Sequence, residues 1–150
     1  MRASGRGFTL VELLVVMVIA ALVMAATPSL FSAALPGLEM KSAARRTAST
    51  LRMARESAIR QGADAALTVD LEHHRLDLPG YRSLVLPKGL SLRLEAASSE
   101  MIDDQRGRIR FFPDGSSTGG RILILNGNHG YQVGVTWLTG RIQLTPWEEP

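Results

Sequence analysis

The sequence predicts an α+β fold: a long N-terminal helix, apolar in its first half and amphipathic in its second, packed on a small antiparallel two-sheet β domain. Three observations carry this expectation. No charged side chain occurs between Leu13 and Leu38. From Lys41 onward, Ala44, Ala48, Leu51, Ala54 and Ala58 recur at spacings of three and four, the period of a helix laid on a core. Beyond Gly62 the pattern changes to short apolar or alternating runs separated by Pro79-Gly80, Pro87-Lys88-Gly89, Pro113-Asp114-Gly115 and Asn126-Gly127-Asn128, as in a sheet domain with turns.

The elements follow in order. Residues 1–7 form a basic leader with Arg2 and Arg6. Residues 8–35 exceed the roughly 20 apolar residues needed to cross a hydrocarbon core, and the two leader arginines put the N-terminus on the cytoplasmic side. Glu12 is the one carboxylate in this segment. Inserting an ionised side chain costs roughly 2.5–3.5 kcal/mol, so its presence points to a function. Pro28 and Pro36-Gly37 each remove or weaken helical hydrogen bonds and predict a kink or local melting. Residues 36–61 form the amphipathic half. Its arginines, Arg45, Arg46, Arg52 and Arg55, and Glu56 fall off the small-residue stripe and read as a solvated face rather than a phosphate-binding one. Gln61-Gly62 ends the helix.

Residues 62–150 form the β domain. Strands are expected at Ala65–Val69, Arg75–Leu78, Ser91–Ala96, Arg108–Phe112, Arg121–Leu125, Tyr131–Thr136 and Arg141–Leu144. Ser91–Glu95 and Arg108–Phe111 alternate, so each shows one face to water. Ile122–Leu125 is apolar on both faces and is expected to be a covered central strand. Residues 97–106 read as a mobile acidic loop. Pro113, Asp114 and Gly115 supply turn chemistry, and Gly119 and Gly120 permit backbone conformations closed to other residues. Trp137 is expected in the core and Trp147 at the surface or an interface.

Composition narrows the function classes. The 150 residues suffice for one domain and an anchor. Without residues 1–7 the chain keeps 15 basic and 14 acidic residues, so no general attraction to nucleic acid is expected. With no cysteine, thiol chemistry, disulfides and cysteine-ligated zinc are excluded. His73 and His74 are adjacent and would point to opposite faces of a strand; with His129 remote, no metal site and no cofactor is expected. Asp114, Ser116, Ser117 and His129 are the ingredients of a hydrolase triad, but nothing in the sequence brings them together. Asp103-Asp104 lacks the oxygen-ligand pattern of an EF-hand.

The segment from Gly7 through Phe8, Thr9, Leu10 and Glu12 resembles the class III leader and N-terminal helix of type IV pilins and type II secretion pseudopilins. That resemblance implies cleavage between Gly7 and Phe8 by a prepilin peptidase, methylation of the new Phe8 N-terminus, and pairing of Glu12 with a neighbouring subunit's N-terminus. At about 4 Å and an effective dielectric near 20, such a pair contributes about 4 kcal/mol before desolvation. Ordinary signal cleavage after Ala25 or Ala26 is the alternative.

Downstream, Gly107–Ile122 (GRIRFFPDGSSTGGRI) together with Trp137-Leu138-Thr139-Gly140-Arg141-Ile142 resembles the GspH/FimT family of the type IV pilin-like superfamily, and its secretion branch more than its DNA-uptake branch. The secretion branch implies a non-enzymatic minor pseudopilin, anchored in the inner membrane of a Gram-negative bacterium with its globular domain in the periplasm. Its implied partners are other minor pseudopilins and the major pseudopilin, and its implied place is the pseudopilus tip, linking to the shaft. The alternative is a FimT-like minor pilin that binds DNA in natural transformation. That branch carries Gly-Arg-x-Arg, where this chain reads Gly140-Arg141-Ile142-Gln143. Arg141 is therefore left as a weak nucleic-acid contact at most, and DNA is not expected as a partner.

Overall fold

The computed structural model describes residues 9–148, with side chains described outside 25–36. Helix α1 spans Leu10–Gln61. Its first turn is capped by Thr9: the Glu12 N–H donates to Thr9 Oγ1 at 3.2 Å and the Leu13 N–H to the Thr9 carbonyl at 3.2 Å. The Thr9 hydroxyl thus satisfies one of the donors that a helix start leaves open, and its carbonyl takes the first regular helical bond. The backbone stays helical through Pro28 and Pro36, so the expected local melting does not occur. Each proline removes a single hydrogen bond, and those of the adjacent turns remain.

The chain divides into two compact units, Met1–Pro36 and Gly37–Pro150. In the first, every described side chain from Leu10 to Met24 is exposed. Among the described residues no helix is long and apolar enough to cross a membrane. The uncharged run continues through 25–36, whose side chains lie outside the described set.

In the second unit, Ala43, Ala44, Thr47, Ala48, Leu51, Ala54 and Ala58 are buried. The stripe is small almost throughout, with Leu51 as its one large side chain. Small side chains let a helix backbone approach its neighbours closely, and Leu51 fills the remaining space. The same core takes Leu67, Val69, Leu76, Ile109 and Phe111 from one sheet and Ile122, Ile124, Val133 and Val135 from the other.

Eight strands follow α1: β1 Ala65–Asp70, β2 Arg75–Asp77, β3 Leu84–Val85, β4 Ser91–Glu95, β5 Arg106–Phe111, β6 Gly120–Asn126, β7 His129–Val135 and β8 Ile142–Glu148. They form two antiparallel four-stranded sheets, ordered β3-β2-β1-β5 and β4-β6-β7-β8. The expected covered strand is β6, flanked by β4 and β7, with Ile122, Leu123, Ile124 and Leu125 all buried. Asn126 pairs with His129, leaving Gly127 and Asn128 as a two-residue turn in which Gly127 has φ 63°. A positive φ at the first central position suits the twist of the flanking strands.

Several expectations change. β3 has only two residues, too short for any periodicity, so the sequence did not mark it. β8 is longer than expected, running through Pro146. It is an edge strand, where a missing N–H leaves no central ladder bond unmade. Trp137, expected in the core, is not found there. Trp147 sits in β8 opposite Gly130 and is half-buried, whereas Trp137 follows the end of β7 and is 64% exposed.

The segment 97–106, expected to be mobile, is anchored. It contains a 3-10 turn at Ser98–Glu100, and Met101 bridges Gly107. The Glu100 carboxylate is buried against Arg108 and Arg110. His73 and His74 lie in the β1–β2 turn rather than in a strand. Their rings go separate ways, His73 to the Asp70 carboxylate and His74 to the Pro87 carbonyl.

Candidate functional site

The two motifs singled out in the sequence, 113–120 and 137–142, meet in space. In the first, the Asp114 carboxylate accepts from the Ser116 hydroxyl at 2.6 Å and the Ser116 N–H at 2.9 Å. These bonds hold its pKa below the ordinary aspartate range, the hydroxyl bond contributing most. The Ser117 hydroxyl donates to the Arg110 carbonyl at 2.7 Å and accepts from the Gly119 N–H at 3.1 Å. The loop is stapled to the second motif by the Ser117 N–H, which donates to the Trp137 carbonyl at 2.8 Å.

Helix α1 supplies the third component. Arg55 Nε donates to the Gly115 carbonyl at 3.0 Å. A Cβ on Gly140 would lie 2.1 Å from that carbonyl and 2.9 Å from Arg55 Nε, and Gly140 has φ 59°. Gly140 is therefore required twice, by conformation and by space. Arg55, expected on the solvated face, instead ties the helix to the first loop and packs beside Gly140 of the second. Nothing in the helical period marks it, because its partner is a backbone carbonyl 60 residues away.

Beside this junction a groove is lined by Arg52, Arg55 and Glu56 of α1 and by Thr136, Thr139, Gly140, Arg141, Ile142 and Gln143. Its volume is about 660 Å³. Arg52 and Arg141 are exposed, and neither makes an ion pair among the described residues. The arginines of β5 behave differently. Arg106 meets Asp103 at 2.7 Å, Arg108 approaches Glu100 at 3.2 Å, and Arg110 pairs with Glu100 at 2.9 Å and Asp64 at 3.7 Å. Gly107-Arg108-Ile109-Arg110 has the letters of a nucleic-acid motif, but its charge is satisfied within the domain.

The other expected residues fall as follows. Gly7 and Phe8 lie outside the described residues. Glu12 is exposed in the first turn of α1. The triad ingredients are not assembled: Asp114 holds Ser116, Ser117 holds the Arg110 carbonyl, and His129 stands 3.8 Å from Glu148. Among the described residues no group of three His, Cys, Asp or Glu could hold a metal ion. The sequence reading missed Thr9 as the helix cap. Its signal was present as Thr9-x-x-Glu12, the spacing of a capping box.

Comparisons with known proteins place the chain in a family. The family described as Type II transport protein GspH matches residues 43–140, and the prokaryotic N-terminal methylation motif matches residues 2–27. The type II secretion system protein H of Xanthomonas campestris is 32% identical over 149 residues, covering 99% of this chain and 88% of that one. Among solved structures, the minor pseudopilin EpsH from the type II secretion system of Vibrio cholerae aligns with a TM-score of 0.59 at 20% identity, covering 75% of this chain and 96% of that one. The type IV minor pilin FimU of Pseudomonas aeruginosa aligns with a TM-score of 0.57 at 19% identity, covering 74% and 91%. These two share the fold: an N-terminal helix on two antiparallel sheets. With residues 43–140 matched by the family model and a 32% identical relative aligned along nearly its whole length, the chain belongs to the GspH family of type II transport proteins, the pseudopilins.

Proposed function

We propose that this pseudopilin works as a structural subunit near the tip of a type II secretion pseudopilus, joining other minor pseudopilins to the major pseudopilin shaft and supporting export of folded proteins. Residues 1–7 are removed by the prepilin peptidase between Gly7 and Phe8, and Phe8 is methylated. The segment 8–35 then holds the subunit in the inner membrane and later in the filament core, with the globular unit in the periplasm.

One observation carries this reading. The first half of α1 exposes Leu10, Leu13, Leu14, Met17, Val18 and every other described side chain up to Met24, whereas the second half buries its stripe in its own domain. So large an apolar surface needs lipid or neighbouring helices to cover it. Glu12, at the start of that surface, pairs with a neighbour's N-terminus and sets the axial register. The test is Gly7→Val, which introduces a branched side chain at the scissile bond. It should leave a membrane-held precursor and abolish export, with intact-mass spectrometry reading the uncut leader. Mature chains beginning after Ala25 or Ala26 would overturn the proposal.

The second reading, a DNA-binding minor pilin, draws support from Arg141, which shares its groove with Arg52 and Arg55. Against it stand Gln143 in place of a second arginine and the internal neutralisation of the β5 arginines. Each phosphate contact would steepen the salt dependence of binding. Tight duplex binding that collapses between low and physiological salt would favour it.

A further inference from the structure

The groove at the loop junction has no occupant in the proposed function, and its make-up is specific. Three guanidinium groups, Arg52, Arg55 and Arg141, stand against one carboxylate, Glu56. Arg52 and Arg141 form no ion pair among the described residues, while each β5 arginine meets a carboxylate of its own domain. The turn that supplies Thr136, Thr139, Gly140 and Arg141 to the groove also carries Trp137 and Leu138, exposed at 64% and 63%.

The turn is held by its own backbone hydrogen bonds. The Gly140 N–H donates to the Thr136 carbonyl at 2.8 Å and the Thr136 N–H to the Arg141 carbonyl at 3.0 Å. Gly119 leaves no spare room beneath Trp137, since a Cβ there would lie 3.0 Å from the Trp137 Cβ. An exposed tryptophan on an ordered turn, next to unpaired arginines, has the composition of an interface hot spot. Arginine is also the side chain best suited to bind a carboxylate through two parallel hydrogen bonds.

We propose that this groove docks an acidic segment of a neighbouring pilin-like subunit, with a carboxylate on Arg52 and Arg141 and an adjacent apolar side chain against Trp137 and Leu138. The inference rests on the filament reading above and names the chemistry of one of its contacts. A single-stranded or duplex nucleic acid is the competing occupant. The internal pairing of the three β5 arginines and the near-neutral charge of the chain beyond residue 7 favour the protein segment, because a phosphate backbone needs an extended run of free cations.

The experiment places a photo-crosslinking benzoylphenylalanine at Leu138 of the full-length chain, in cells expressing the whole secretion apparatus. A second probe at Met17 reports incorporation into the filament, and a third at Arg75 reports the outer face of the first sheet. The expected result is a Leu138 adduct with a pilin-like subunit, whose crosslinked peptide holds an Asp or Glu within a few residues of an apolar side chain. Arg52→Glu combined with Arg141→Glu should lower that adduct at least about fivefold, the scale of two solvent-exposed ion pairs, while leaving the Met17 adduct unchanged. Reversing the charge of the identified carboxylate to Lys should restore it.

An adduct indifferent to the double reversal, or a peptide without a carboxylate, would overturn the proposal, as would a Leu138 adduct with nucleic acid. Absence of a Leu138 adduct while Met17 still crosslinks would sink the groove contact alone. Loss of both from the unmodified background would sink the filament reading instead. Melting temperatures of the variants, unchanged within a degree or two, exclude misfolding as the cause.

Discussion

The two halves of α1 share a backbone and differ in what their side chains meet. Between Leu10 and Met24 every side chain is exposed, although these residues include the most apolar of the chain. Between Ala43 and Ala58 the stripe is mostly alanine, with far less apolar surface per residue, yet its members are at most 1% exposed. Hydrophobicity and burial thus run in opposite senses along one helix. The difference teaches that the second half is specified by its own domain, while the described side chains of the first are left exposed in theirs. Small residues suit the second half because its stripe is covered by the core of its own domain. Large residues in the first are what the proposed lipid or filament surroundings would cover.

The largest test of this comparison is a pair of truncations. Leu51→Ala should destabilise the domain by about 2–5 kcal/mol, since a fully buried leucine leaves a cavity. Leu14→Ala should change the same unfolding transition by less than about 0.5 kcal/mol while reducing filament incorporation. Urea denaturation of the full chain in detergent reads both, and equal effects would erase the distinction between the halves.

Next comes Gly140→Ala, which presses a Cβ on the Gly115 carbonyl in a left-handed conformation. It should cost about 1–3 kcal/mol. Gly62→Ala shares the positive φ but has open space around it, and should cost only about 1 kcal/mol. Similar losses at both sites would mean that the loops do not press together at Arg55. Arg55→Ala removes the helix-to-loop hydrogen bond and should cost about 1 kcal/mol, a loss that Arg52→Ala, on the next exposed position, should not reproduce.

Acid sharpens the comparison from the other side, because the perturbed carboxylates all lie in the globular unit. Asp70 is held below the usual range by the His73 N–H, against the opposing effect of burial, with help from the His73 ring and Arg75. Asp103 is lowered by Arg106 and Asp114 by Ser116. A carboxylate lowered on folding stabilises the fold above its unfolded pKa of about 3.9, and that contribution is lost as pH falls through the folded value. The melting temperature should therefore hold down to about pH 4 and fall below it. A melting temperature that rose on acidification would contradict these pairings.

The smallest expected effect on stability belongs to Glu12→Ala. The Thr9 cap uses the Glu12 backbone N–H rather than its carboxylate, so domain unfolding should not move. Co-assembly with other pseudopilins should fall nevertheless, as the register pair is lost. Unchanged assembly would leave Glu12 without the proposed role.

Much of this was legible beforehand because it is periodic or local. The stripe Ala44, Ala48, Leu51, Ala54 and Ala58 follows from a 3.6-residue repeat, and all five are buried. The run Ile122–Leu125 announced a strand covered on both faces, and β6 is that strand. The turns at Pro113-Asp114-Gly115 and Asn126-Gly127-Asn128 follow from residues that favour such backbones. Thr9 aside, whose capping signal was local, the misses arise where a partner lies elsewhere in the fold or the signal is too short. β3 has two residues, and the anchoring of 97–106 depends on Glu100 finding Arg108 and Arg110 across a chain reversal.

By itself, then, the sequence determined the class of fold, the split character of the helix, the family, and the composition of both glycine loops. These depend on local propensity, on the period of apolar residues and on motif wording. Only the tertiary structure decided that the loops meet each other at Arg55, that Trp137 faces solvent while Trp147 is half-covered, and which arginines are neutralised. Charge pairing and burial are properties of side chains brought together across the fold, and a linear pattern holds no record of which carboxylate an arginine will meet.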